Sequence, residues 1–304
     1  MATAIQVDGL RKVYGDLVAV DDISFVVNEG EIFGMVGPNG AGKTTAIECI
    51  ESLRQPNAGR LQVLGLDPQR DGYALHRRIG VQLQQAALPD RLKVWEAMDL
   101  FAALYDRPLD WRTLLERFGL ADKRNALFAK LSGGQKQRLF IALALIGDPQ
   151  LVFMDELTTG LDPQARRSMW DLVRDIRQGG KTIFLTTHFM EEAERLCDRV
   201  AIMDHGRIVA LDTPEKLIHG LAAEHRVVFT VENGFDTERF RNLPGVTRLE
   251  QIGERVVVYG KEDDLVVEVV TALSRGGIRF RDLRTEQPSL EDVFLALTGR
   301  EIRE

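Results

Sequence analysis

Gly37-Pro38-Asn39-Gly40-Ala41-Gly42-Lys43-Thr44 follows the apolar run Ile32-Phe33-Gly34-Met35-Val36 and precedes a stretch in which Ile47, Ile50 and Leu53 recur at helical spacing. The eight residues match G-x-x-x-x-G-K-[ST] between a strand and a helix, the context in which that pattern cradles phosphate. Glycines at these positions let backbone N–H groups converge on a β-phosphate, and the N-terminus of the next helix adds partial positive charge. Lys43 is placed to neutralise β- and γ-phosphate oxygens. Thr44 offers a hydroxyl to Mg²⁺, and Thr45 continues the cradle into the helix.

A second segment supplies the carboxylates that such a cradle needs. Leu151-Val152-Phe153-Met154 is a continuous apolar run, as a strand buried on both faces requires, and it ends in Asp155-Glu156. Acidic residues at the C-terminal end of a strand emerge where open α/β sheets bind ligands. Asp155 is the expected Mg²⁺ ligand, through water, and Glu156 the residue that orients and deprotonates an attacking water. Further strands are expected at Thr182 to Leu185 and Val200 to Met203. A helix is expected to open at Asp162-Pro163, a cap residue followed by proline in the first turn. Strand and helix alternate, which predicts an α/β fold with a largely parallel sheet. From about 86 to 148 the pattern is helical instead: Val94, Met98, Phe101 and Leu104 share one face, and Trp111, Leu114, Leu115 and Phe118 another.

Composition fits this reading. The 304 residues are 44% hydrophobic and 28% charged, with a formal net charge of −7. That balance argues against coating nucleic acid, and no nucleic-acid partner is expected. Cys49 and Cys197 are far apart and form no C-x-x-C pair, which points to reduced thiols in a cytosolic protein. Charged Asp8, Arg11 and Lys12 interrupt any signal-peptide pattern. The longest apolar run, Leu139 to Ile146, is far short of the roughly 20 residues of a spanning helix.

Leu131-Ser132-Gly133-Gly134-Gln135 resembles the signature of ABC-type ATPases. With the two phosphate-site motifs in order, residues 1–220 resemble one ABC nucleotide-binding domain: a P-loop NTPase of α/β class with an antiparallel β region and a helical subdomain at about 86–148. The resemblance implies ATP and Mg²⁺ as ligands. It makes Tyr14 the aromatic that stacks on adenine, and Gln84 the glutamine that touches Mg²⁺ near a membrane subunit, with Gln82 and Gln85 as competing registers. It makes Gly160-Leu161-Asp162 the loop that addresses the opposite site, and His188 the switch histidine on the γ-phosphate. Ser132 and the N–H groups of Gly133 and Gly134, followed by Gln135, would reach nucleotide held by another copy's cradle, so a homodimer with ATP between subunits is implied. One departure is Leu157, where proline commonly follows the glutamate; lacking a fixed φ, leucine predicts a slightly less rigid loop.

Residues 225–304 read β-α-β-β-α-β and a last helix, a small α+β unit of ferredoxin-like order, joined through Leu221-Ala222-Ala223-Glu224. Ser289 and Asp292 open the last helix and Gly299 stops it. Pro288 to Gly299 resembles the terminus of drug-export ATPases of the daunorubicin-resistance type. Such ATPases sit at the cytoplasmic face of the membrane and serve a separate ABC-2 type permease, so export of a hydrophobic, drug-like compound is implied. An importer ATPase, or a soluble ABC ATPase acting on ribosomes or DNA, are the alternatives.

Overall fold

The computed structural model describes residues 2–83, 87–220, 225–231, 238–260 and 264–299. The first elements are β1 (Thr3–Tyr14), β2 (Leu17–Asn28), β3 (Ile32–Val36), α1 (Lys43–Ile50), β4 (Ala58–Val63), α2 (Gly72–His76) and β5 (Ile79–Gln82). A helical stretch follows: α3 (Val94–Ala102), α4 (Trp111–Arg117), two short 3₁₀ turns, and α5 (Gly133–Leu145). Strand and helix then alternate through β6 (Leu151–Asp155), α6 (Pro163–Gln178), β7 (Thr182–Thr187), α7 (Met190–Leu196), β8 (Arg199–Asp204) and β9 (Arg207–Asp212). The remainder is α8 (Pro214–Gly220), β10 (His225–Val231), α9 (Glu238–Arg241), β11 (Val246–Ile252), β12 (Arg255–Gly260), α10 (Leu265–Arg275), β13 (Phe280–Glu286) and α11 (Leu290–Thr298).

The described residues divide into two compact units that part at Pro214 and Glu215; Leu221 to Glu224, the expected linker, lies outside the described residues. The first unit holds a six-stranded sheet in the order β5-β6-β7-β3-β8-β9 and a three-stranded antiparallel sheet in the order β2-β1-β4. Neighbours from β5 through β8 run parallel, and β9 returns antiparallel to β8. Strands β3, β6 and β7 are buried along their whole length, which is why β3 and Leu151 to Met154 of β6 read as unbroken apolar runs rather than alternating ones. An aromatic ladder joins the sheets. Phe33 pairs with Phe184 at 5.5 Å, Phe153 with Phe184 at 5.7 Å, and Phe25 of β2 stacks on Phe33 at 5.3 Å. Offset and tilted ring pairs of this kind add to the area they bury.

Two helix ends fall earlier than the apolar spacing predicts. Leu53 is half exposed and lies beyond α1. Ser52 takes φ +67°, its N–H bonds Cys49 O, and the N–H of Leu53 bonds Glu48 O, a Schellman stop built on serine instead of glycine. Leu104 is likewise exposed, past the end of α3 at Ala103.

In the second unit the four strands form one antiparallel sheet in the order β11-β12-β10-β13. One face packs Val227, Phe229, Val256 and Val258 with Phe240, Leu265, Val269 and Leu273 of α9 and α10. Helix α11 is tied to β10 by the ion pair of Arg226 with Asp292. At its start Asp292 accepts from the Ser289 N–H at 2.9 Å and hydroxyl at 3.0 Å, and at its end Gly299 takes φ +72°.

Candidate functional site

The loop between β3 and α1 is shaped by its glycines. Gly42 sits at φ +102°, and a Cβ there would stand 2.2 Å from the Ala19 carbonyl oxygen. A Cβ on Gly37 would stand 2.1 Å from Met203 O. The loop is therefore wedged between β2 and β8, and only glycine permits the approach. No side chain caps Gly42, so the first N–H groups of α1 point into the loop without an internal acceptor. That is the arrangement in which a helix terminus receives a phosphate.

Tyr14, Asn39, Gly40, Gly42, Lys43, Thr44, Thr45 and Glu156 line one cleft of about 480 Å³. Gly37, Pro38 and Ala41 belong to the same loop but are not among the cleft's lining residues. Lys43 Nζ donates to Gly37 O at 2.8 Å and Pro38 O at 3.0 Å, and Ala41 is buried. Burial lowers the Lys43 pKa, with the charges of Glu156 and Asp155 pulling the other way. Tyr14 is partly exposed, with the Lys12 ammonium 5.0 Å and the Arg54 guanidinium 5.5 Å from its ring centroid.

The carboxylates stand at the end of β6. Asp155 accepts from the Thr186 hydroxyl and is hydrogen-bonded with Thr44. Its pKa is raised, first by burial, against the Thr186 bond, and further by the adjacent Glu156. A divalent cation would reverse that balance. A threonine hydroxyl beside a carboxylate is a hard-oxygen pair that fits Mg²⁺, which prefers one or two protein oxygens together with phosphate and water. Glu156 takes φ +49°, and its N–H is held by Thr186 O at 3.0 Å. A non-glycine residue in this region is held there by its surroundings. Its carboxylate lies 3.8 Å from Lys43 Nζ and 3.5 Å from His188 Nδ1, and accepts from Thr159 Oγ1 at 3.3 Å. Leu157 and Thr158 are buried, so packing anchors the loop where proline's fixed φ is missing.

Other expected residues lie elsewhere. Ser132 is the cap of α5: its hydroxyl accepts from Gln135 N at 3.3 Å, while Gln135 Oε1 accepts from Ser132 N at 3.0 Å. Ser132 and Gly133 are exposed, a Cβ on Gly133 would meet nothing within 4 Å, and none of Leu131 to Gln135 lines the cleft. Asp162 caps α6 through Gln164 N at 3.0 Å and Ala165 N at 2.9 Å, with Gly160 at φ +76° before it. Gln84 and its competitor Gln85 lie outside the described residues; Gln82 is buried, its amide donating to Leu83 O at 2.7 Å.

The cleft also has walls that no motif announces. Leu17, Val18 and Ala19 of β2, and His205 and Gly206 of the β8–β9 turn, line it. That turn is fixed by Gly206 N to Ala41 O at 2.9 Å and Asp21 N to Gly206 O at 2.8 Å. Only strand adjacency brings residues so far apart in the chain to one rim.

Residues 20–159 match the family model described as ABC transporter. The chain is 39% identical to the daunorubicin resistance ATP-binding protein of Streptomyces coeruleorubidus, over 99% of this chain and 98% of that protein. It is 39% identical to Nod factor export ATP-binding protein I of Ralstonia nicotianae, over 99% and 95%. To the protein of the same name from Rhizobium sp. (strain N33) it is 41% identical, over 98% of each. A solved ATP-binding subunit of an ABC transporter superposes with a TM-score of 0.65 at 29% identity, covering 72% of this chain and 93% of that one. An ATP-binding cassette of an ABC transporter in its ADP conformation shares the fold, with a TM-score of 0.65 at 22% identity over 71% and 93%.

Proposed function

This chain belongs to the ABC transporter ATP-binding family, and from that premise we propose that it powers an exporter, as a homodimer beneath a separate ABC-2 type permease at the cytoplasmic face of the membrane. One observation carries the export reading. The likeness to proteins named for drug resistance and for Nod factor export runs over 99% of the chain, so it takes in the second compact unit as well as the first. The cargo is a hydrophobic, drug-like compound. Among the described residues no helix is long and apolar enough to cross a membrane.

The chemistry follows from the cleft. Adenine stacks on Tyr14, and the N–H groups of the loop from Gly37 to Thr44 and of Thr45 receive the phosphates. Lys43 exchanges the carbonyls of Gly37 and Pro38 for β- and γ-phosphate oxygens. Thr44 and Asp155 would hold Mg²⁺, with Gln84 as the further ligand the family resemblance implies; the ion, when bound, would supply charge neutralisation at the phosphoryl oxygens. Glu156 orients the attacking water and takes its proton. His188, 3.5 Å from Glu156, hydrogen-bonds the γ-phosphate beside that water.

The homodimer is supported by what one copy lacks. Its cleft carries the cradle and the carboxylates, while Ser132 and Gly133 are exposed and a Cβ on Gly133 would meet open space. A second copy facing the first would place its Ser132 to Gln135 segment and Asp162 loop over the open cleft, and the same contact repeats by symmetry. Affinity capture of the tagged chain from detergent-solubilised membranes tests the reading. Recovery of a polytopic membrane protein, with ATPase activity stimulated by a hydrophobic drug, is expected; recovery of ribosomes or DNA instead would overturn it.

A further inference from the structure

Two cations used by none of the steps above stand at the ring of Tyr14, the last residue of β1. The Lys12 ammonium is 5.0 Å and the Arg54 guanidinium 5.5 Å from the ring centroid. Tyr14 lines the cleft and neither cation does, so they back the ring from outside it. A single cation is held only weakly at a solvent-exposed ring. Here each is fixed by a second contact. Lys12 Nζ donates to Gln55 O at 2.8 Å. Arg54 is paired with Glu48: its Nε donates to Oε2, and its Nη2 to Oε1 at 3.3 Å.

The main chain repeats the attachment. Past the serine stop of α1, the N–H of Arg54 bonds Glu48 O at 3.0 Å, so Glu48 holds Arg54 by backbone and side chain alike. The Gln69 amide donates to Arg54 O at 3.2 Å. Asn57 clasps β1 on either side of Lys12: its N–H donates to Arg11 O at 2.8 Å, and its Oδ1 accepts from Val13 N at 2.8 Å. Glu48 lies on the helix that opens with Lys43. One helix thus carries the phosphate lysine in its first turn and, through Glu48 and Arg54, braces the ring of Tyr14 from its last.

We propose that Arg54 is a positioning residue for base recognition: braced by Glu48 and joined by Lys12, it holds the Tyr14 ring ready for the base of the nucleotide. It acts on Tyr14 and not on the nucleotide itself. The inference rests on the assignment of Tyr14 as the stacking residue made above. Two effects combine. The face of an aromatic ring is negative, so two stacked rings resist full overlap. A cation behind the ring draws that charge back and favours a second π-system in front. A side chain fixed before the ligand arrives also has less freedom to lose on binding. A cation at an exposed ring is worth about 2- to 5-fold in an equilibrium constant.

The test measures, on the full chain, binding of an ATP analogue labelled on the ribose, its displacement by inorganic tripolyphosphate, and steady-state ATPase kinetics. Arg54→Ala is expected to raise the analogue Kd and the KM for ATP about 3- to 5-fold, while kcat and the tripolyphosphate Kd stay within about 2-fold. Glu48→Gln keeps Arg54 but loosens its brace, and is expected to give a smaller rise with the same indifference to tripolyphosphate; it carries the test if Arg54→Ala does not fold. In a Tyr14→Ala background, Arg54→Ala is expected to add less than about 2-fold, because its effect runs through the ring. Unchanged or tighter analogue binding in Arg54→Ala, or in Glu48→Gln where the alanine variant is insoluble, overturns the proposal. So does tripolyphosphate binding that weakens in step with the analogue, which would make Arg54 a cation for the phosphates, and so does full additivity with Tyr14→Ala. Tyr14→Ala alone is the reference. If it binds the analogue as the wild type does, the reading of Tyr14 has failed; if it binds weakly while Arg54→Ala is normal, only the role of Arg54 has failed.

Discussion

Glu51 closes the helix that carries Lys43 and Thr44, and it is almost wholly buried. Burial pushes its carboxyl up from 4.5 to about 9, with the nearby charges of Asp155 and Glu48 adding to the effect. In the unfolded chain the group ionises near pH 4.5; in the fold it keeps its proton until about 9. Between those values the folded state binds a proton that the unfolded state has released. Stability therefore falls as pH rises through the window, by about 1.4 kcal/mol per pH unit. At pH 7 the accumulated penalty is about 3 kcal/mol. Glu51→Gln removes the ionisation and keeps the shape. The apo protein carrying this substitution should gain on the wild type steadily between pH 5 and pH 8. A thermal melt followed by circular dichroism should show the gap in midpoint widening by roughly 3–6 °C per pH unit. Parallel midpoint curves across that range would mean that Glu51 is ionised in the fold, and the reasoning from burial would be wrong.

Two further outcomes concern the site. Glu156→Gln should bind ATP with wild-type affinity, lose at least about 100-fold in turnover, and accumulate as an ATP-dependent dimer in size-exclusion chromatography; wild-type turnover would remove Glu156 as the base. Gly42→Ala sets a methyl group against the Ala19 carbonyl at a left-handed φ. It should cost about 1–3 kcal/mol of stability and weaken binding of a fluorescent ATP analogue at least about 10-fold; a titration curve matching the wild type would mean the loop does not need its shape.

The first unit was legible because its chemistry is local in the chain. The cradle is eight consecutive residues, and Asp155 is the last residue of a five-residue strand buried throughout, with Glu156 directly after it. Asp162 and Pro163 announce α6, and Asp162 does cap it. What stayed hidden depends on long-range pairing or on single dihedral angles. His205 and Gly206 reach the cleft only because β8 lies beside β3. Strand β4 is mostly exposed and reads as polar loop, yet it pairs with β1 along Ile5 to Asp8. The end of α1 turns on a serine at positive φ, which no residue preference announces. Glu192 looks like one of three surface acids in Glu191-Glu192-Ala193-Glu194; only the depth of Trp170 against α7 shows that it is interior.

Whether the cleft of one copy is completed by the Ser132 segment of another is decided by mixing two inactive variants. Lys43→Ala abolishes a copy's own cradle, and Ser132→Arg blocks the segment it offers to its partner. Each alone should be inactive. Mixed in equal amounts, half of the dimers pair one with the other, and each such pair holds one intact composite site of two, so activity should return to about a quarter of the wild type. A mixture that stays as inactive as its parts would contradict catalysis shared between two copies.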